Sequence, residues 1–301
     1  METRYAIQAV NLRKQFKGFE LNIPSVKIPK GFSTALIGEN GAGKTTLINC
    51  LTGLRLDYKG QIRYFDKYTD ADREKGDVKE KIGYTGPGLY FMPQWSVKQV
   101  EEISEMLFDD FERNEFERRC KELAIFPSGG IDYGKKVSSL SDGTRMKLML
   151  AGVLARDTEM LILDEPASPL DPLMRDKLCE LIHDYIAEGN GEKTVFFSTH
   201  NISDMENVTD YAIIMEYGQI VEEGFVEDLK EKYVLIKGDA EDAETARPHM
   251  YTMTKNQFGF EGICLADQLD KLAGLDVSKE IPSLYQISVA VMKANTRISM
   301  K

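Results

Sequence analysis

No stretch of this 301-residue chain comes near the ~20 consecutive apolar residues that a membrane-spanning helix needs. The best runs are short, such as Leu148 to Ala155 and Tyr211 to Met215. The opening residues Met1-Glu2-Thr3-Arg4-Tyr5 lack the apolar stretch of a secretory signal. Only four cysteines occur, Cys50, Cys120, Cys179 and Cys264, and no two stand in CxxC spacing. That speaks against a disulfide frame or a zinc site and for small buried hydrophobes in a reducing compartment. Basic charge is the minority sign: 38 Lys+Arg against 49 Asp+Glu leave a net −11. Phosphate-backbone binding relies on a local excess of Lys and Arg, so the chain reads as no general nucleic-acid binder. The expected setting is cytoplasmic, with any work at a membrane done through a partner. Internal repeats and low-complexity tracts are absent as well.

What is present is a globular balance, 42% hydrophobic and 29% charged, in a chain long enough for one main domain with attachments. Residues 1–30 alternate apolar and polar positions, with Pro24 and Pro29 as breaks, which predicts short antiparallel strands. Ser33 to Ile37 reads as a buried strand. From about residue 97 to 156 the period becomes helical (Val100, Ile103, Leu107, Phe111; Phe116, Cys120, Leu123), which predicts a helical subdomain inserted between strands. Strand patterns return at Met160–Leu163, Thr194–Ser198 and Tyr211–Met215, with a helical pattern at Leu178, Leu181, Ile182 and Tyr185. Alternating strand and helix implies a mostly parallel sheet covered on both faces. The acidic stretch Gly238 to Glu244 reads as a linker or exposed loop. The expected division is therefore 1–237 and a C-terminal extension 238–301.

Gly38-Glu39-Asn40-Gly41-Ala42-Gly43-Lys44-Thr45 matches GxxxxGK[ST] in full, after a strand and at the opening of a helix. Glycines let successive backbone N–H groups point at one anion, and the helix N-terminus adds partial positive charge. Lys44 reaches the β- and γ-phosphates in such a loop, and the Thr45 hydroxyl ligates Mg²⁺. Met160-Leu161-Ile162-Leu163-Asp164-Glu165 is an apolar strand ending in two carboxylates, the pattern that holds Asp164 near Mg²⁺ and places Glu165 to polarise water.

Leu140-Ser141-Asp142-Gly143-Thr144 precedes that strand and opens a helical pattern. With the phosphate loop and Asp164-Glu165 it resembles the ATPase subunit of an ATP-binding cassette (ABC) transporter, over roughly residues 5–230. The resemblance implies an α/β P-loop cassette with a mostly parallel core sheet, an N-terminal antiparallel β subdomain, an inserted helical subdomain and a small C-terminal extension. It implies an ATP- and Mg²⁺-dependent ATPase that works as a pair of cassettes, homo- or heterodimeric. These sit on the inner face of the cell membrane, on a transmembrane permease subunit. Ser141 and Gly143 match the residues that cap the γ-phosphate held by the opposite cassette; Gly38 through Thr46 match the ATP cradle. Asp171, in Ala167–Asp171, matches a residue at the dimer seam. His200 matches the switch histidine that contacts the γ-phosphate. Phe16 matches the aromatic that stacks on adenine, and it equally suits a strand core residue.

Three departures stand out. Asp142 and Thr144 replace the Gly and Gln of the commoner LSGGQ. The family's I-G-Y-x-P-Q becomes Ile82-Gly83-Tyr84-Thr85-Gly86-Pro87, with Pro87 at the glutamine; Gln94 is either a substitute or a surface residue. The aromatic stretch Leu89 to Trp95 borders the groove that in the family receives the permease, or else packs locally. The Phe-Ser-Thr-His200-Asn switch and the ending Ile281-Pro-Ser-Leu-Tyr-Gln-Ile287 resemble Gram-positive-type exporter ATPases, including exporters of antimicrobial and phenol-soluble-modulin peptides. The expected function is ATP hydrolysis powering export of amphipathic peptides or other hydrophobic compounds. The rival reading is a soluble or regulatory cassette without transport.

Overall fold

The structure is a computed structural model and describes residues 4–73, 76–88, 91–126 and 129–296. The chain forms two compact units, Met1–Thr34 with Thr45–Thr199, and Ala35–Lys44 with His200–Lys301.

In the first unit, Tyr5–Phe16 and Phe19–Pro29 form one long hairpin, extended by Lys59–Tyr64 and Tyr68–Thr69 into an antiparallel sheet. Ile7, Ala9, Leu12, Leu21, Ile23, Val26 and Ile28 are fully buried, as the alternation demands. Pro24 does not break its strand as the sequence reading expected. It lies on an edge strand, and the register skips it opposite Asn11, whose φ is 53°. The register is the same on both sides of Pro24, and an edge strand can omit the one ladder bond whose N–H proline lacks.

Three parallel strands follow, Ile82–Thr85, Met160–Leu163 and Thr194–Thr199, with Met160–Leu163 in the centre. All four residues of the central strand are buried, which explains its unbroken apolar run. The helix Pro172–Glu188 connects two of these strands and buries Leu178, Leu181, Ile182 and Tyr185, the predicted stripe.

The inserted helical region consists of Val97–Leu107, Arg113–Glu122 and Asp142–Leu154. Its first helix differs from the expected periodicity. The buried stripe is Val97, Val100, Glu101 and Ser104; Leu107 is exposed and ends the helix. Phe111 is buried instead on a bridge to Arg156. A capping box between Ser96 and Gln99 sets the helix start and so its rotational phase.

In the second unit, Tyr211–Glu216 and Gln219–Phe225 form a hairpin, and the helix Val226–Lys232 leads into a separate antiparallel sheet. That sheet has the order Thr252–Lys255, Gly259–Leu265, Tyr233–Asp239, Val277–Glu280. One face packs Ile236, Phe260 and Cys264 against Ala243, Ala246 and Leu272. The helix Leu284–Asn295 closes the unit. The acidic stretch from Gly238 is thus no linker: Gly238 and Asp239 belong to a strand, and Ala243 is fully buried. The boundary at 237/238 falls inside that strand. Among the described residues no helix is long and apolar enough to cross a membrane. Cys50, Cys120 and Cys264 are buried, and burial pushes the Cys120 thiol up to about 12.

Candidate functional site

The strand Ser33–Ile37 is buried at every position and delivers the chain into the loop Gly38–Gly43. Gly41 and Gly43 have φ of +92° and +106°, a region that side chains with a Cβ avoid. These two positions turn the loop back on itself, with Ala42 N donating to Glu39 O at 3.1 Å. The loop is tied to the neighbouring hairpin turn by Gly218 N, which donates to Ala42 O at 2.8 Å. Lys44 is 6% exposed, and its ammonium donates to the carbonyls of Gly38 (2.7 Å) and Glu39 (3.2 Å). The amine is thereby held across the mouth of its own loop. Glu39 and Asn40 are exposed beside it. Glu216, at the end of the hairpin strand, is nearly buried; burial and the negative charge of Glu39 hold its carboxyl above the usual range.

The helix Lys44–Leu51 starts where the loop ends. Its first N–H groups have no intrahelical acceptor, and a helix start entered from a glycine-rich loop suits an anion. Thr45 is exposed in that first turn and Thr46 half-buried.

In the first unit, Asp164 is fully buried at the end of the central strand. Its backbone N donates to Thr85 O at 2.8 Å, and its Oδ1 accepts from the Ser198 hydroxyl. The same Ser198 oxygen accepts from Glu165 N at 2.9 Å. One hydroxyl therefore fastens both acids to the neighbouring strand. Glu165 has φ 52°, a strained backbone for a residue with a long side chain. Ser198 is the functional residue that sequence reading missed: it was seen only as part of the strand before His200. Its one signal was a hydroxyl directly after the apolar run Val195–Phe197 of that strand.

Ser141 caps the helix Asp142–Leu154, accepting from Thr144 N at 3.2 Å, and its hydroxyl also meets Thr144 Oγ1 at 2.8 Å. Asp142 pairs with Arg145 on the same helix. Gly143 is required by close approach: a Cβ there would stand 2.6 Å from Pro169 O. The segment Ala167–Asp171 thus packs on the start of that helix. Asp171 is exposed and caps the next helix, accepting from Met174 N at 3.1 Å.

Phe16 ends its strand half-buried, outside the core, with Arg55 at 5.1 Å and Lys14 at 5.3 Å from its ring centroid. His200 directly follows the strand Thr194–Thr199 and is exposed. Pro87 and Gln94 are both exposed. Of the aromatic stretch, Leu89 and Tyr90 lie outside the described residues; Phe91 is buried, Trp95 half-buried and Met92 53% exposed. Backbone bonds from Val137 N to Trp95 O and from Ser138 N to Pro93 O pin this stretch locally.

Among the described residues no group of three or more His, Cys, Asp or Glu side chains could hold a metal unaided. One buried carboxylate, Asp164, and one exposed hydroxyl, Thr45, suit Mg²⁺, which binds through one or two protein oxygens and completes its shell with phosphate oxygens and water. The residues present therefore fit a magnesium–nucleoside triphosphate rather than a free ion.

A family model described as ABC transporter matches residues 21–168. The chain is 28% identical over 260 residues to the energy-coupling factor transporter ATP-binding protein EcfA2 of Enterococcus faecalis, covering 83% of this chain and 87% of that one. It is 26% identical over 249 residues to the nickel import ATP-binding protein NikO of Rhodobacter capsulatus, covering 79% and 95%. Among solved structures, an ATP-binding subunit of an ABC transporter superposes with a TM-score of 0.63 at 23% identity, over 75% of this chain and 92% of that one.

Proposed function

The chain carries the ATP-binding domain of the ABC transporter family, and from that premise we propose that it is the ATP-hydrolysing subunit of a transporter whose membrane-spanning part is a separate permease. The observation that carries this reading is the Ser198 fastening of Asp164 and Glu165 at the end of a dry strand. Two acids held by one hydroxyl are arranged for phosphoryl transfer to water, where positioning and electrostatics do most of the work.

Gly38–Thr46 hold the phosphates through backbone N–H groups, and Lys44 exchanges its loop carbonyls for β- and γ-phosphate oxygens. Thr45 and Asp164 hold Mg²⁺, which, when bound, neutralises charge on the phosphate oxygens. Glu165 accepts the proton of the attacking water or orients it. His200 donates to the γ-phosphate, and Phe16 stacks on the adenine. Ser141 and Gly143 serve the ATP of a second cassette, so the working unit is a pair. ATP favours the closed pair because its γ-phosphate contacts both members, and hydrolysis removes that preference.

The cargo we assign is an amphipathic peptide or another hydrophobic compound, moved outward. The ending Ile281–Ile287 and the His200-Asn201 form of the switch support this. Inward transport is supported by one relative, the nickel import ATP-binding protein NikO of Rhodobacter capsulatus. ATP-driven accumulation of a labelled amphipathic peptide in inside-out vesicles is expected for export; ATP-driven loss from such vesicles would reverse the direction.

The central test is ATP turnover of the wild type and Glu165→Gln, each with and without the copurifying permease. Turnover is expected to rise with the permease and to fall by orders of magnitude in the variant, which still binds ATP and accumulates as a dimer. Near-normal turnover in Glu165→Gln would remove Glu165 from its role. Absence of turnover in every condition, despite tight ATP binding, would favour a regulatory cassette.

A further inference from the structure

The C-terminal helix is fastened to the segment that carries His200. After His200 the chain makes two tight turns, Ile202–Asp204 and Glu206–Val208. The segment is closed on itself: Met205 N donates to Ile202 O at 2.9 Å, Thr209 N to Glu206 O at 3.1 Å, and Thr209 Oγ1 to Met205 O at 2.8 Å. Ile202 and Met205 are buried beneath it. Such a run moves as a piece.

Glu206 points out of this piece at the first turn of the helix Leu284–Asn295. Its Oε1 accepts from Leu284 N at 2.8 Å and its Oε2 from Tyr285 N at 3.4 Å. Ser283 and Gln286 satisfy the remaining N-terminal groups through a reciprocal capping box. Ser283 already caps the helix, so helix formation alone does not call for a carboxylate from far back in the chain. A charged acceptor on two helix N–H groups at the positive end of the helix dipole is a stronger tie than a neutral cap. Lys230, at 4.0 Å from Glu206 Oε1, steadies the same carboxylate from the helix Val226–Lys232. The same C-terminal helix also packs on the turn Ile202–Asp204 and on the strand Tyr211–Glu216, and buries Leu284, Ile287 and Val291.

We propose that Glu206 is a positioning residue for His200: by clamping the turns after His200 to the first turn of the C-terminal helix, it sets where the histidine stands, and so ties hydrolysis to the C-terminal region. The role rests on the reading of His200 as a γ-phosphate contact. Glu206 itself touches neither substrate nor metal in this scheme. The cradle Gly38–Thr45 is a different segment, so loss of the clamp lowers turnover and spares binding.

The test uses the full chain as wild type, Glu206→Ala, Glu206→Gln, His200→Ala and the His200→Ala/Glu206→Ala pair. Turnover by Glu206→Ala is expected to fall roughly ten-fold, the scale of a small misplacement of a catalytic group, with KM for ATP changed less than about two-fold. Glu206→Gln keeps an amide oxygen for Leu284 N and recovers most of the loss. In the His200→Ala background the second substitution has no further effect. Wild-type turnover in Glu206→Ala, or an equal loss with His200 already removed, overturns the proposal. Amide hydrogen exchange is read in parallel and needs no turnover: Glu206→Ala is expected to speed exchange across 201–209 and 284–286. Unchanged exchange there overturns the clamp, even if the wild type proves to hydrolyse no ATP, a result that would separately defeat the ATPase reading.

Discussion

Ser198 shows how one hydroxyl determines the chemistry of two acids. A carboxylate buried as fully as Asp164 needs partners that stay in place, and Ser198 provides one while also accepting from Glu165 N. That second bond helps keep Glu165 at φ 52°. Ser198→Ala removes both bonds without adding bulk. Turnover is expected to fall roughly 10- to 100-fold, the usual cost of losing a partner of a metal-binding carboxylate. ATP affinity measured without Mg²⁺ should change little, because the cradle keeps its own bonds. Equal activity of wild type and Ser198→Ala would show that the strand alone holds the acids. The glycines at 38, 41 and 43, Lys44 and the pair Asp164-Glu165 were legible from spacing as a candidate nucleotide site, because backbone N–H cradles constrain residue type position by position. Ser198 was not legible, since a serine at a strand end has many ordinary uses. The roles of Asp171 and Ser141 gained a structural side: both cap helices, which explains an Asp or Ser there without any ligand.

At the scale of elements, the helix Val97–Leu107 was found in the right place, with Val100 buried as periodicity required and the rest of the buried stripe shifted. Periodicity pointed to Leu107; the structure turns Glu101 and Ser104 inward and leaves Leu107 and Met106 exposed. Burial pushes the Glu101 carboxyl above its ordinary value, and the Arg113 guanidinium at 3.9 Å offsets only part of this. A raised folded-state value means the folded chain holds the proton longer than the unfolded one. This contribution to stability is then present below the ordinary Glu pKa and is lost as pH rises through the raised one. Glu101→Gln is expected to remove that decline, giving a higher urea midpoint at pH 7 and a flatter dependence across the mildly acidic range. A midpoint that falls at pH 7 would mean the Arg113 pairing outweighs the desolvation. The strand Phe19–Pro29 teaches the complementary lesson. Pro24 is a strong local signal for a break, yet an edge position opposite Asn11, where the ladder omits one pair, makes it harmless. Which strand becomes an edge is not written in the strand.

At the scale of the molecule, the division at 237/238 is the point where local composition misled. Acidic residues and weak patterning suggested a linker and an appendage, whereas Tyr233–Asp239 runs through the boundary as a central strand. Both of its partners come from beyond that boundary in sequence: Gly259–Leu265 and Val277–Glu280. A chain ending at Lys237 would bare Leu235 and Ile236 and lose the helix that packs on Tyr211–Glu216. Each large apolar side chain exposed in this way costs about 1.5–3 kcal/mol. We expect that truncation to aggregate or to melt far below the full chain in a thermal scan. A truncated chain as stable as the whole, with its turnover intact, would show that the C-terminal region is only attached.

The sequence by itself marked the glycine-rich loop between a strand and a helix, the two acids at a strand end, the helix that opens after Ser141 and the resemblance to the ABC family. Each of these depends on residues adjacent in the chain, where bond geometry leaves few alternatives. Tertiary structure alone decided that Ser198 holds Asp164 and Glu165, that Glu101 turns inward, that Pro24 is tolerated, and that Glu206 grips the helix at Leu284. All four join segments distant in sequence or depend on which face and which edge becomes covered. That outcome is set by packing the whole chain, and no local window of residues contains it.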